Sequence, residues 1–366
     1  MGNTKVTKQN EITLPEVSNQ EIYKRIANDS TYIEKDDNGN IIKIIEDVGY
    51  HAFISTLIKI EEFVANVLSN KDPAFKLTEF LIERNDIRLV RGHFERLPLA
   101  KFFKSVVDFS FTYSTEYEYS SYVDLFFNSW KALELYKEGF NNPRGYSSKP
   151  DKKQFEVFNE FLQYMRTEAS TTEFKKKLSR VHEKYLWNYS SALEYIEALF
   201  QHCCSKLLVI RLDLAYRHEV ARHITAEQAK EDLEHFLNNR RGNHKLFEHW
   251  AGYIRKLEWG PEKGLHFHLI VFYKGSKRCK DFYLAKSLGE YWEKITDNRG
   301  IYWNCNANKE DYWRLGIGMV DKNDVEKRKI LTEDVVSYLV KSEQSLRAKK
   351  LGEGKCFVRG IMPGEN

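Results

Sequence analysis

The pattern of apolar and polar positions changes its period near residue 206. From about 48 to 136, and again to about 204, apolar residues recur with mostly helical spacing, as in HAFISTLIKIEEFVANVL. At 206 the texture becomes that of strands. In KLLVIRLDLAY, Leu208, Ile210, Leu212 and Leu214 fall on one face, and Val209, Arg211 and Asp213 on the other. Thr225 and Gln228 form a capping box that predicts a helix to about Asn239. Two strands, 251–259 and 265–273, are then joined by the turn GPEKG, and a helix covers about 279–296. Short strands follow near 300–304 and 312–320. Thr332 reads as the cap of a last helix, with Glu333 and Asp334 in the first turn where the helix dipole favours them. The order predicts an α+β fold with helices on one face of a sheet.

Domain boundaries follow from the same pattern. Residues 1–45 are polar and read as a mobile segment, with a turn or hairpin at Asn38-Gly39. Residues 46–200 read as a mainly α-helical region. Within it NNPRGYSSKPDKKQ, at 141–154, is the best loop or linker candidate. Residues 201–366 form the second domain.

Composition narrows the class. The chain has 366 residues, of which 42% are apolar, enough for a substantial core. Aromatics at 14% exclude a disordered chain. No run approaches the roughly 18 apolar residues that span a bilayer, so no membrane role is expected. The opening MGNTKVTKQN lacks the apolar core of a secretory signal, and Val6 stands where myristoylation calls for Ser or Thr. Five cysteines without a C-x-x-C predict a reducing compartment, the cytoplasm. The net charge of +4 is unevenly spread: from Lys206 onward there are 30 Lys/Arg against 23 Asp/Glu. That excess permits a polyanionic partner such as nucleic acid.

The candidate chemistry starts at GLHFHLIVFY. Strand alternation puts His266 and His268 on one face, about 7 Å apart, and Phe267, Leu269 and Val271 on the core face. If the two flanking strands close a hairpin at 260–264, Glu258 pairs with His266 and projects from the same side. Two imidazoles and a carboxylate with open positions suit Mg²⁺ or Mn²⁺ and also admit Zn²⁺. About seventy residues on, a helical wheel from TEDVVSYLVKSEQ places Val335, Val336, Leu339, Val340 and Leu346 in an apolar arc. Tyr338 falls outside it with Asp334, Lys341 and Ser345. Lys341 lies one turn beyond Tyr338, within reach of the phenol or of a phosphate the phenol attacks. The aromatics Tyr302, Trp303, Tyr312 and Trp313 read first as core or edge packing, with base stacking as the functional alternative.

Together these pieces suit phosphodiester transesterification, with a metal on the phosphate and a tyrosine nucleophile. The set H266-F-H268 and Y338-L-V-K341, after the strand KLLVIRLDL, resembles the HUH endonucleases, which include rolling-circle replication initiators and relaxases. More narrowly, LEWGPEKGLHFHLIVF, LGIGMV and VVSYLVKSEQSLRAK resemble the inovirus gene-II-type replication proteins, the YagK/YfjJ C-terminal domain family. The resemblance covers about 205–361. It implies an HUH-type palm, an antiparallel sheet with flanking helices. It also implies Mg²⁺ or Mn²⁺ dependence and nicking of single-stranded origin DNA through a 5′-phosphotyrosine. Carried over residue by residue, His266 and His268 are metal ligands with Glu258 as third, Tyr338 is the nucleophile and Lys341 its assistant.

Rival assignments fail on residues. Ile270 stands where a HIT hydrolase needs a third histidine, and LIVFYKG lacks a cupin's glutamate. No P-loop motif is present, so unwinding would fall to a host helicase working with the replication machinery. The same chemistry would also serve a relaxase or transposase, and the same fold a non-catalytic DNA-binding regulator.

Overall fold

The computed structural model describes residues 31–45, 48–84, 87–238, 244–340, 346–352 and 354–364. It is a mixed helix-and-sheet protein, as the sequence pattern predicts. Among the described residues no helix is long and apolar enough to cross a membrane.

Strands β1 (Thr31–Lys35) and β2 (Ile41–Ile45) form an antiparallel hairpin. Asp36 closes its loop by accepting from the Asn38 and Asn40 amides, and Gly39 supplies the left-handed conformation at φ +78°. This corrects the reading of 1–45 as mobile over its described part. Ile33 is buried against Ala215 and Ile301 of the C-terminal sheet, and Lys35 pairs with Glu293. Residues 1–30 lie outside the described residues.

Helices α1 (Val48–Ser69), α2 (Ser121–Ala132) and α3 (Gln154–Ser170) pack around an aromatic core that includes Phe63, Phe126, Phe158 and Phe161. The mostly helical reading of 48–136 has its main exception at 75–96. Strands β3 (Phe75–Arg84) and β4 (Ile87–Arg96) form a long hairpin there. Its apolar doublets, such as Leu81-Ile82 and Leu89-Val90, break strict alternation and imitate helical spacing. The 141–154 stretch is a packed loop rather than a linker. Glu138 accepts from Ser147 and Ser148, and the Gln154 amide bonds the Gly145 carbonyl.

The boundary expected near 200 falls inside a helix. The first turns of α4 (Thr172–His202) touch the N-terminal core through Phe174 and the Lys177–Asp124 ion pair. Its later turns, from Tyr185 to Phe200, belong to the core beneath the sheet.

That sheet holds six antiparallel strands. Its central pair is β6 (Lys206–Tyr216) and β8 (Gly264–Lys274). Outside β8 lie β7 (Trp250–Gly260) and then β12 (Phe357–Arg359). The other edge of β6 is shared by β9 (Gly300–Asn304) and β10 (Gly318–Asp321), each along one half. One face is covered by α5 (Ala226–Asn238) and α6 (Asp281–Ile295), through Leu233, Phe236, Leu288 and Trp292. The other is covered by α4 and by a helical stretch over 325–340, here α7. Helices therefore lie on both faces, not one, because both faces of β6 and β8 carry apolar residues.

Helix α7 also begins earlier than expected. Asp324, not Thr332, is the cap, accepting from the Lys327 amide. Thr332 lies inside the helix and returns its hydroxyl to the Arg328 and Lys329 carbonyls. A π-helical turn, Leu331–Val336, interrupts α7 just before Tyr338. Beyond the helix, β11 (Leu346–Ala348) pairs with β5 (Tyr117–Tyr119) of the N-terminal region.

Candidate metal centre

The β7–β8 hairpin has the register that brings Glu258 opposite His266 and Trp259 opposite Leu265. Its three-residue connection depends on Gly264. This residue sits at φ +64°, and a Cβ there would meet the Ala221 carbonyl oxygen at 2.9 Å. The Gly264 carbonyl then accepts from His266 Nδ1 at 3.0 Å. That bond fixes the tautomer, leaving Nε2 as the free lone pair.

The polar side chains of this face form a layered site. Glu258, His266 and His268 each offer a ligand atom within 4.8 Å of the others. His268 Nε2 is 3.3 Å from Glu258 Oε2, and its Nδ1 is 2.6 Å from Asp213 Oδ1. Asp213 is in turn 3.9 Å from the buried Lys263 ammonium. A carboxylate behind a ligating histidine orients the ring and raises its basicity. Lys256 stands opposite His268 and is 1% exposed.

Burial and neighbouring charge set the protonation states. For His266, burial and then Lys263 and His268 push the pKa well below the ordinary imidazole value, so the ring is neutral. For His268, burial opposes the charge, but Asp213 and Glu258 outweigh it and lift the pKa to about 9. Burial likewise opposes the Asp213 and Glu258 charges, and contact with His268 more than offsets it, holding both carboxyls below their usual range. A proton on His268 therefore lies between two carboxylates where a cation would sit.

The donor set fits a divalent ion. His266 Nε2 is buried and has no hydrogen-bond partner among the described residues. An orphaned buried acceptor is costly, and a cation shared with Glu258 and His268 would satisfy it. The site is also rich in basic side chains. Among the described residues, the basic side chains Lys256, Lys263 and the partly buried Arg211 outnumber the carboxylates Asp213 and Glu258 around the cluster. A divalent ion would raise that excess to three, which calls for an anionic ligand.

Tyr338 arrives at this site from α7. Its ring lies 6.2 Å from that of His268 and 6.0 Å from the Arg211 guanidinium carbon. The helical wheel placed it on a polar side with Asp334. Instead Tyr338 is 5% exposed and shares the core with Val335, Val336, Leu339 and Val340, while Asp334 turns out to Arg314. The π turn over Leu331–Val336 spreads one turn over more residues and so rotates less per residue, which a uniform wheel misses. Lys341 lies outside the described residues. Sequence reasoning leaves Asp213 on the polar face of its strand without an assigned role and misses Lys256 and Lys263 as site residues. Charged residues on a strand or turn read as a solvated face, and only the hairpin register hints that Lys256 shares the side of Glu258.

The site is walled by the N-terminal region. Tyr117 packs 6.0 Å from Trp259, and a cavity of about 40 Å³ between Tyr50, Tyr117, Glu258 and Arg347 adjoins the cluster. A larger cavity, of about 600 Å³, lies elsewhere among Lys245, Lys277, Arg278 and Lys280. It holds no grouping of acid, base and nucleophile comparable to the cluster around His268. Comparison with protein-family models, curated proteins and solved structures finds no match to this chain.

Proposed function

We propose that this protein is a metal-dependent nicking and joining enzyme of the HUH type. Its substrate would be single-stranded origin DNA, and its role the initiation of rolling-circle replication of a phage or prophage-like element. The observation that carries the reading is the meeting of Tyr338 with the His266–His268–Glu258 cluster across seventy residues of chain. The excess of buried cations around that cluster supports a phosphate-bearing substrate.

Each residue then has a task. Glu258, His266 and His268 would hold Mg²⁺ or Mn²⁺, which supplies Lewis-acid polarisation of a phosphoryl oxygen. Asp213 keeps His268 Nε2 aimed at the site by holding Nδ1. The Tyr338 hydroxyl gives up its proton and its oxygen bonds phosphorus; the bond to the 3′-oxygen breaks, and that oxygen takes a proton. The product is a 5′-phosphotyrosine and a free 3′-hydroxyl able to prime synthesis. Lys341 is kept as the assistant the resemblance implies. A host helicase and replication machinery would supply unwinding and extension. The cytoplasm, as the reducing compartment, accords with the five free cysteines.

The test is cleavage of a pool of labelled single-stranded oligonucleotides, drawn from the DNA around the gene, with Mn²⁺ or EDTA. Metal-dependent products ending in a 3′-hydroxyl, absent from His266→Ala, are expected. Equal cleavage by His266→Ala would remove the metal site. Binding of DNA and Mn²⁺ without any cleavage would favour the regulator reading.

A further inference from the structure

We infer that Arg211, Tyr312 and Trp313 form a ledge for an unpaired nucleotide beside Tyr338, with Arg211 taking a phosphate oxygen and Trp313 the face of a base. The inference rests on the single-strand reading above and adds the groups that hold the strand.

Arg211 is the anomaly that starts the argument. A guanidinium keeps its charge at any working pH and offers five N–H donors. Here it lies on the inner strand β6, with its Nε buried and without a hydrogen-bond partner among the described residues. No carboxylate among them comes within ion-pair distance of it. Three other arginines of this domain are matched: Arg314 pairs with Glu326 and Asp334, Arg299 with Asp232, and Arg328 with Glu197. What holds Arg211 is aromatic. Its guanidinium carbon is 5.9 Å from the Tyr312 ring and 6.0 Å from the Tyr338 ring. Cation–π contacts fix a guanidinium without consuming its N–H donors. A preset cation with unused donors, next to a proposed phosphoryl acceptor, is a built anion subsite.

The second observation is independent of charge. The four aromatics of 302–313 do not share one fate. Tyr302 is buried, and Trp303 is half-buried beneath the Lys43 ammonium, 4.4 Å from its ring centroid. Tyr312 packs on Arg211. Trp313, the next residue, is 98% exposed. So an indole in open solvent directly follows the ring that holds the unmatched arginine. An anion subsite joined to a free aromatic face fits the two halves of a nucleotide, and stacking accepts any base.

The test separates the two halves with defined probes in EDTA, where no chemistry occurs. Affinity is measured by fluorescence anisotropy for labelled oligo(dT) and for an abasic oligomer of equal length, across a salt series. Trp313→Ala should weaken oligo(dT) binding about 10- to 100-fold and leave the abasic oligomer unchanged. Trp313→Phe should restore most of the loss. Arg211→Gln should weaken both probes and reduce the salt slope by about 0.7, whereas Arg211→Lys should keep the slope. Trp313 is too exposed for its removal to unfold the chain, and thermal melting checks the Arg211 variants. The ledge is overturned if Trp313→Ala affects both probes alike or neither, or if folded Arg211→Gln leaves the slope intact. Those results beside active cleavage would sink the ledge alone. The expected binding losses without any cleavage by the unsubstituted protein would sink the nicking reading alone.

Discussion

Alternate residues of β8 live in different worlds. Phe267, Leu269 and Val271 are fully buried among Leu233, Phe236 and Trp292, a face that does nothing but pack. One residue to either side, His266 and His268 are equally buried, yet surrounded by Asp213, Glu258, Lys256 and Lys263. The polar face is itself divided. Toward the other end of the same strand, Ile270 and Phe272 return to a core with Val209, Ile254 and the α4 side chains. A strand reverses side every residue, so adjacent residues can be given wholly different tasks. Burial alone does not separate them; the chemistry of the neighbours does.

Substitutions on the two sides should fail in different ways. The largest effect is expected for His266→Ala: metal-dependent cleavage falls to background while melting in EDTA falls much less than for a core residue, since the loss is one hydrogen bond to Gly264 and an Nε2 acceptor with no partner among the described residues. Phe267→Ala, one residue away, should cost about 3–5 kcal/mol of stability from transfer and cavity terms. Denaturant unfolding measures that, and residual folded protein should still bind Mn²⁺. Equal stability losses in both variants would mean that the two faces do not divide the work as described.

Smaller effects sharpen the polar side. Asp213→Asn should lower Mn²⁺ affinity about 10- to 100-fold without removing a ligand, read by calorimetric titration. The mildest is a pH effect in metal-free protein. The His268 pKa, lifted to about 9, gives stability that is fully present below about pH 6.5 and lost as pH rises through 9. Over the same window Mn²⁺ should bind more tightly with rising pH, because the His268 proton must leave first. His268→Gln should flatten the alkaline fall in melting temperature; an unchanged fall would assign it to another group.

Much of the sheet and of the metal cluster is legible in the chain. The limits of β6 to β9, the capping residue Thr225 and the pairing of Glu258 with His266 follow from alternation and the length of one turn, whereas the strand expected over 312–320 is confined to β10 at Gly318–Asp321. What stays hidden is set by tertiary context. The β3–β4 hairpin imitates helical spacing, and the π turn before Tyr338 has no signature in a uniform wheel. Arg211, Lys256 and Lys263 carry charge into the interior, where single-residue propensity expects solvent. Their burial makes sense only once the opposing carboxylates and the approach of Tyr338 are in place. The packing of 31–45 and of 141–154 depends likewise on contacts distant in sequence.

The most direct test of the central claim is the site of covalent attachment. Protein incubated with Mn²⁺ and the single-stranded oligonucleotide it cleaves best would be denatured, digested and examined by tandem mass spectrometry. The account predicts a nucleotide phosphate on the peptide containing Tyr338, lost in Tyr338→Phe while DNA binding persists. A nucleotide on Tyr312 or any other residue, or cleavage that continues in Tyr338→Phe, would contradict it.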